Sequence, residues 1–183
     1  MLDRSSRWTP EPHWIETRLR SGDCTVFPIL NLAQVIVSGD VAAGLAEMNI
    51  EEAARWGKVA PDTAYVVGLG RMRVLVVSSG AIVGSPNTSA WFEAGYAASD
   101  SSDGLAVFEI AGRGTFGLLA QMLAVDLKSA RGTEKGGARM RMCEVPVIAY
   151  AHGNEDRARL HVERNQAAYV WQLLESAARL AAG

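Results

Sequence analysis

Cysteine is scarce in this sequence: Cys24 and Cys143 are the only two. So sparse and separated a pair builds neither a disulfide framework nor a cysteine-rich zinc site. With no neighbouring histidine to activate either thiol, both read as core groups rather than nucleophiles. Histidine is as rare, at His13, His152 and His161, and no two of these stand at a metal-ligand spacing. Each is expected to be solvent-exposed or satisfied by a neighbour. No apolar run approaches bilayer-spanning length, which excludes a transmembrane helix. Met1–Arg20 is charged and lacks the apolar centre of a signal peptide, so a cytoplasmic protein is expected. A net charge of −2 from mixed signs offers no field for nucleic acid or for an anionic membrane.

What is present is a core. With 49% hydrophobic residues over 183 positions, the chain suits one compact body, possibly of two lobes. Its second part has a readable order. Leu105–Ala111 is a β-rich run, closed by the turn Gly112-Arg-Gly114. Thr115 stands where it can cap the next helix, with Leu118, Leu119, Met122 and Leu123 at helical spacing. A polar, glycine-rich loop follows at Lys128–Ala138. Met142–Ala151 and Ala158–Glu163 then read as a hairpin. In Ala158-Arg-Leu-His-Val-Glu163, alternation puts Ala158, Leu160 and Val162 on the core face and Arg159, His161 and Glu163 on a wet face. A closing helix carries the stripe Val170, Leu173, Leu174, Ala177 and Ala181, with Trp171 one position off it, at the stripe's edge or turned outward.

The first part repeats that order more faintly. Leu30–Val37 reads as a strand, Ser38-Gly-Asp40 as a turn, and Val41, Leu45 and Met48 as a helical stripe. Tyr65–Leu69 and Met72–Val77 form a hairpin across Gly70-Arg71, and Pro86-Asn-Thr-Ser starts a short helix holding Trp91, Phe92 and Tyr96. The chain is therefore expected to be an N-terminal arm, residues 1–23, followed by one α+β domain, 24–183, of two similar halves at about 24–99 and 100–181. The arm sets Trp8 and Trp14 among Arg4, Arg7, Arg18 and Arg20. It either folds back over its own core or lies on a partner, since tryptophan and arginine anchor interface centres.

Chemistry is hard to find. Gly68-Leu-Gly70 is too short for a dinucleotide fingerprint and falls in a hairpin. Gly112-Arg-Gly114 precedes a helix but lacks a third glycine and a following acidic residue. The loop with Arg131, Lys135, Arg139 and Arg141 reads as a solvated basic connection. Glu51-Glu52 and Asp100–Asp103 read as acids that complement helix starts or sit in loops. No catalytic, cofactor-binding or metal-ligating residue is identified.

Three segments together resemble the γ subunit of heterotetrameric sarcosine oxidase. They are Asp100-Ser-Ser-Asp-Gly-Leu-Ala-Val-Phe-Glu-Ile-Ala-Gly112, Met122-Leu-Ala-Val-Asp-Leu127 and Val162-Glu-Arg-Asn-Gln-Ala-Ala-Tyr-Val-Trp-Gln-Leu-Leu174. Phe27–Val35 is compatible with the same family, and the resemblance spans about residues 24–181. It implies an α+β fold of two related ferredoxin-like βαββα halves, as in the folate-binding aminomethyltransferases. It also implies a non-catalytic structural subunit of a complex that oxidatively demethylates sarcosine or a related N-methyl amine, the methyl group passing to tetrahydrofolate. FAD, FMN, NAD, tetrahydrofolate and zinc are then expected on the α, β and δ partner subunits, chiefly the large α subunit, and none on this chain. Gly68-Leu-Gly70-Arg-Met72 departs from the glycine-proline pair, acid and tryptophan usual in that family. The alternative is a stand-alone folate-binding aminomethyltransferase-like protein. Against its maintenance-factor branch stands Lys135-Gly-Gly-Ala138, where that branch carries a cysteine-, tyrosine- and glutamine-bearing motif.

With no dinucleotide turn and no metal cluster to read, the purified chain is expected to be colourless. A flavin absorbance band that stays with the protein through gel filtration would contradict this.

Overall fold

In the computed structural model the residues described are 13–50, 64–82, 91–128, 137–153 and 156–180. Two antiparallel sheets lie face to face. The six-stranded sheet has the order β1(Leu19–Ser21), β2(Cys24–Ile29), β7(Leu105–Gly112), β10(Arg157–Glu163), β9(Val145–Ala151), β8(Gly137–Met142). The four-stranded sheet has the order β4(Tyr65–Gly70), β5(Arg73–Ser78), β3(Ala33–Gly39), β6(Tyr96–Asp100). Helix α1(Val41–Glu47) covers the outer face of the smaller sheet, and α2 is a single turn, Trp91–Ala94. Helices α3(Thr115–Ala120) and α4(Ala167–Leu180) cover the outer face of the larger one. This is the α+β class that the sequence predicts.

The layering explains the strand sequences. In Val74–Val77, alternate residues face α1 (Val74, Val76) or the opposite sheet (Leu75, Val77), and all are buried. A strand covered on both faces has no wet side, so it reads as a continuous apolar run. Strand β9 does the same, with Val145, Val147 and Ala149 outward under the helices and Ile148 and Tyr150 inward between the sheets.

Strand–helix–hairpin occurs twice, as β3-α1-β4-β5 and β7-α3-(β8)-β9-β10. Each set is flanked in its sheet by a strand from outside the set. Strand β2 runs directly into β3 in sequence yet pairs with β7, while β6 runs directly into β7 yet pairs with β3. The two exchanges meet at equivalent glycines. Gly39 ends β3 with φ 97°, and a Cβ there would sit 2.5 Å from the Gly95 carbonyl oxygen. Gly112 ends β7 with φ 120°, and a Cβ there would sit 2.1 Å from the Asp23 carbonyl oxygen. Each glycine lets a borrowed strand close against the end of its host, in a backbone region that only glycine enters freely.

Several expectations change in the structure. The face of β10 bearing Arg159 and His161 is not wet: the second sheet covers it, and His161 is 1% exposed. Met142–Ala151 is two strands rather than one, with β8 and β9 joined at Cys143 and Glu144, both at positive φ. Cys143 is therefore an exposed turn residue and not a core thiol, whereas Cys24 is buried. Thr115 caps nothing; its hydroxyl donates to the Asp156 carbonyl, and Gly114 stands at the N-cap without a side-chain bond. Tyr96 lies in β6 rather than in the helix, and Pro86-Asn-Thr-Ser89 lies outside the described residues. Trp171 belongs to the core, 3% exposed, where it meets Phe108 and Trp14 at 5.7 and 6.0 Å between ring centroids. Trp14 thus packs back on the chain's own core, and Leu19–Ser21 adds a strand to the sheet.

Gly112→Ala should lower unfolding stability by at least about 2 kcal/mol, since it combines a forbidden φ with a backbone clash. Gly117→Ala, at an exposed α3 position with open space around it, should instead raise stability by about 0.5–1 kcal/mol. Urea unfolding of the two variants beside the wild type checks both signs.

Candidate functional site

Between the sheets, where apolar contact would be simplest, lies a chain of buried polar side chains. The alternation of β10 turns Arg159 and His161 inward, β9 contributes Tyr150, β4 Tyr65, β3 Gln34 and β7 Glu109. Arg159 Nε donates to Glu109 Oε2 at 2.9 Å, and its Nη1 donates to the Tyr65 hydroxyl at 2.7 Å. The hydroxyls of Tyr65 and Tyr150 are 2.6 Å apart. Tyr150 reaches His161 Nε2 at 2.7 Å, and His161 Nδ1 reaches Gln34 Oε1 at 2.6 Å. Gln34 Nε2 then donates to the Leu105 carbonyl at 3.1 Å.

Both ends of this chain dictate one direction for its protons. A guanidinium only donates, so the Tyr65 oxygen accepts from Arg159 and its own proton passes to Tyr150. The Gln34 amide presents its oxygen to His161, so Nδ1 carries the imidazole proton, and Nε2 is left to accept from Tyr150. A second proton on His161 would reverse the tyrosine bonds and leave one phenol proton facing Arg159 with no acceptor. Burial, reinforced by the charge of Arg159 and by His152, accordingly holds the His161 pKa down to about 3. Burial raises Tyr150 well above the ordinary phenol value and raises Tyr65 too, although Arg159 opposes the shift at Tyr65. The one formal charge pair is Arg159 with Glu109, whose other oxygen faces Arg157 at 3.6 Å.

Such a relay holds its members and leaves none free to act. Both nitrogens of His161 are engaged, both phenols stay protonated, and no nucleophile stands beside a base. One group is left over: His152 Nδ1 is buried without a partner, its ring 5.3 Å from that of Tyr65, and burial with Arg159 and Arg157 lowers its pKa to about 4.

The remaining sequence candidates are scattered. His13 is exposed near Glu16. Cys24 packs in the core, donates to the Ser21 carbonyl, and has its pKa raised by burial. Gly112 is consumed by its close approach to Asp23. Asp100 ends β6, and bonds from Ser102 lower its pKa. Arg139 and Arg141 belong to β8, while Arg131, Lys135, Glu51 and Glu52 lie outside the described residues. Among the described residues no group of His, Cys, Asp and Glu could hold a metal ion, and no helix is long and apolar enough to cross a membrane. A cavity of about 670 Å³ opens where the chain crosses between the sheets, bounded by Trp14, Leu30, Leu32, Leu105, Asp103 and Arg164. The Nε of Arg164 is turned to the Asp103 carbonyl at 2.6 Å.

The relay escaped the sequence analysis because its members are far apart in the chain and several are read as surface residues. The available signal was Tyr150, a polar-tipped residue in a run otherwise apolar enough to be buried on both faces.

No protein-family model matches the chain, and no curated protein matches it. Solved structures do. A chain of the heterotetrameric sarcosine oxidase from Corynebacterium sp. U-96, in complex with pyrrole 2-carboxylate, is similar with a TM-score of 0.66 at 17% identity, over 87% of this chain and 86% of that one. The glycine cleavage system aminomethyltransferase T from Bartonella henselae is similar with a TM-score of 0.52 at 14% identity, over 87% of this chain and 49% of that one. This chain therefore spans about half the length of the aminomethyltransferase. At such identities the likeness establishes a related fold and nothing finer.

His161 is neutral when folded and ordinary, near pKa 6.5, when unfolded, so the unfolded state binds the additional proton. Stability should therefore fall as pH drops below about 6.5, by up to about 1.4 kcal/mol per unit from this residue. The loss should continue until the folded protein itself takes up the proton near pH 3. Burial of His152, with its pKa near 4, adds a slope of the same sign, so urea unfolding at pH 7, 6 and 5 should show the sum, and His161→Gln should roughly halve it.

Proposed function

We propose that this chain is a non-catalytic structural subunit of a flavin-dependent, heterotetrameric sarcosine oxidase-like complex. That complex oxidatively demethylates sarcosine or a related N-methyl amine and passes the methyl group to tetrahydrofolate. The observation that carries this reading is the matched extent of the two chains. The fold likeness covers 87% of this protein and 86% of a chain from a heterotetrameric sarcosine oxidase, so neither has a large part without a counterpart. The three sequence segments that resemble the γ subunit support it independently. So does a polar interior in which Arg159, Tyr65, Tyr150, His161 and Gln34 are bonded to one another. In this reading the FAD, FMN, NAD, folate and zinc belong to the α, β and δ subunits, the duplicated halves descend from one ferredoxin-like unit, and the complex is cytoplasmic.

A second reading, a stand-alone folate-binding aminomethyltransferase-like protein, is favoured by one feature: the cavity of about 670 Å³ beside Trp14 and Leu105 is of ligand size. Its walls suit a flat apolar body, but the nearest cation, Arg164, already turns its guanidinium to the carbonyls of Asp103 and Ser102. The half-length match to the aminomethyltransferase also counts against it.

Co-expression of this chain with the proteins encoded beside it should give a stable hetero-oligomer. Its interface should be of the obligate kind, burying roughly 2,000 Å² or more. A soluble, monodisperse monomer that ignores those proteins in a pull-down removes the structural-subunit reading. If that monomer also binds tetrahydrofolate, measured by calorimetry, the second reading takes its place.

A further inference from the structure

Very short connectors join each exchanged strand to the next strand in sequence, which lies in the opposite sheet. Strand β2 ends at Ile29 and β3 begins at Ala33; β6 ends at Asp100 and β7 begins at Leu105. Facing sheets stand about 10 Å apart and an extended residue covers about 3.3 Å, so the first connector crosses with little slack, while the second is folded into a tight turn in which the Gly104 and Leu105 N–H groups both donate to the Ser101 carbonyl. If β2 leaves β7, it drags β3 out of the other sheet. If β6 leaves β3, it drags β7.

Where the connectors cross, one residue ties them together. Gln34 is 1% exposed, and its hydrogen bonds run to the opposite part of the chain. Its backbone N–H donates to Ser102 Oγ at 2.9 Å, and its carbonyl accepts from the Ser101 N–H at 2.7 Å. Its side chain donates to the Leu105 carbonyl at 3.1 Å and accepts from His161 Nδ1 at 2.6 Å. Ser101, Ser102 and Leu105 span the second connector and its entry into β7, while His161 lies on β10.

We propose that this crossing is a clasp that makes the two sheets a single cooperative unit, and that Gln34 is the positioning residue that couples them. Neither sheet then opens without the other, and the fold has no hinge at its midline. A buried polar residue whose backbone is held by the connector leaving its own sheet and whose side chain is held by the other sheet is costly on either side alone, because every broken bond strands a desolvated group. The inference concerns the conformational behaviour of this chain and does not rest on its membership of any complex.

Native-state hydrogen exchange on the full-length protein tests it. The slowest amides of β2, β3, β5, β6, β7 and β10 should share one opening free energy and one denaturant slope. Gln34→Ala removes both side-chain bonds. It should split the protein into two exchange classes, the four-stranded sheet losing at least tenfold more protection than the six-stranded one. Ser102→Ala, a milder loss at a half-buried site, should produce the same split at smaller size and decides the matter if Gln34→Ala fails to fold. Two separate opening free energies in the wild type would overturn the proposal. Equal loss of protection in both sheets of either variant would reduce Gln34 to an ordinary structural residue and overturn its coupling role.

Discussion

The rest of this structure depends on the need to satisfy polar groups trapped between two sheets. Each sheet already has a helix-covered apolar face, and their inner faces could have met through aliphatic residues alone, as Leu75, Val77 and Ile148 do. Instead, Arg159, Tyr65, Tyr150, His161 and Gln34 are lined up so that each link joins one donor to one acceptor. Apolar contacts tolerate sliding by a fraction of a residue; a directed chain of hydrogen bonds does not. The seam therefore gains its docking register from the polar groups and its adhesion from the apolar ones around them.

The same need commits the titratable groups of the seam to one another. A histidine flanked by two tyrosines and an arginine has the residue types of an active site, yet each is committed to its neighbour. The neutral His161 is held by geometry at both nitrogens, and the Arg159 charge is compensated by Glu109.

The order of elements was legible in the sequence because periodicity is a local property. The α1 stripe of Val41, Leu45 and Met48, the apolar hairpin strands and the closing helix appear where their spacing puts them. What was illegible is non-local. The alternation in Ala158–Glu163 was read correctly, but whether its second face meets water or another sheet cannot be seen from that strand; the answer lies in Tyr65 and Gln34, far away in the chain. The exchange of β2 and β6 was hidden for the same reason, since Cys24–Ile29 and Ala33–Gly39 look like consecutive partners. Strand β8 was missed because its glycine-rich approach resembled a loop, and the turn at Cys143 and Glu144 uses positive φ without the glycine or asparagine that would mark it. Trp171, one position off the stripe, is buried because Trp14 and Phe108 widen the core on that side.

The exchange of strands has a consequence for descent. A segment that folds by itself can be copied, moved and fused, and each copy can then drift alone. Here β2 and β3 follow one another in sequence but pair in different sheets, as do β6 and β7, so a gene fragment that ends at either connector separates strands from the sheet they complete. Sheets joined in this way are not separate heritable modules. Changes at Gly39 are answerable to the strand beginning at Tyr96, and changes at Gly112 to the strand beginning at Cys24. The sequences of the halves are free to diverge, but the joint between them is inherited whole.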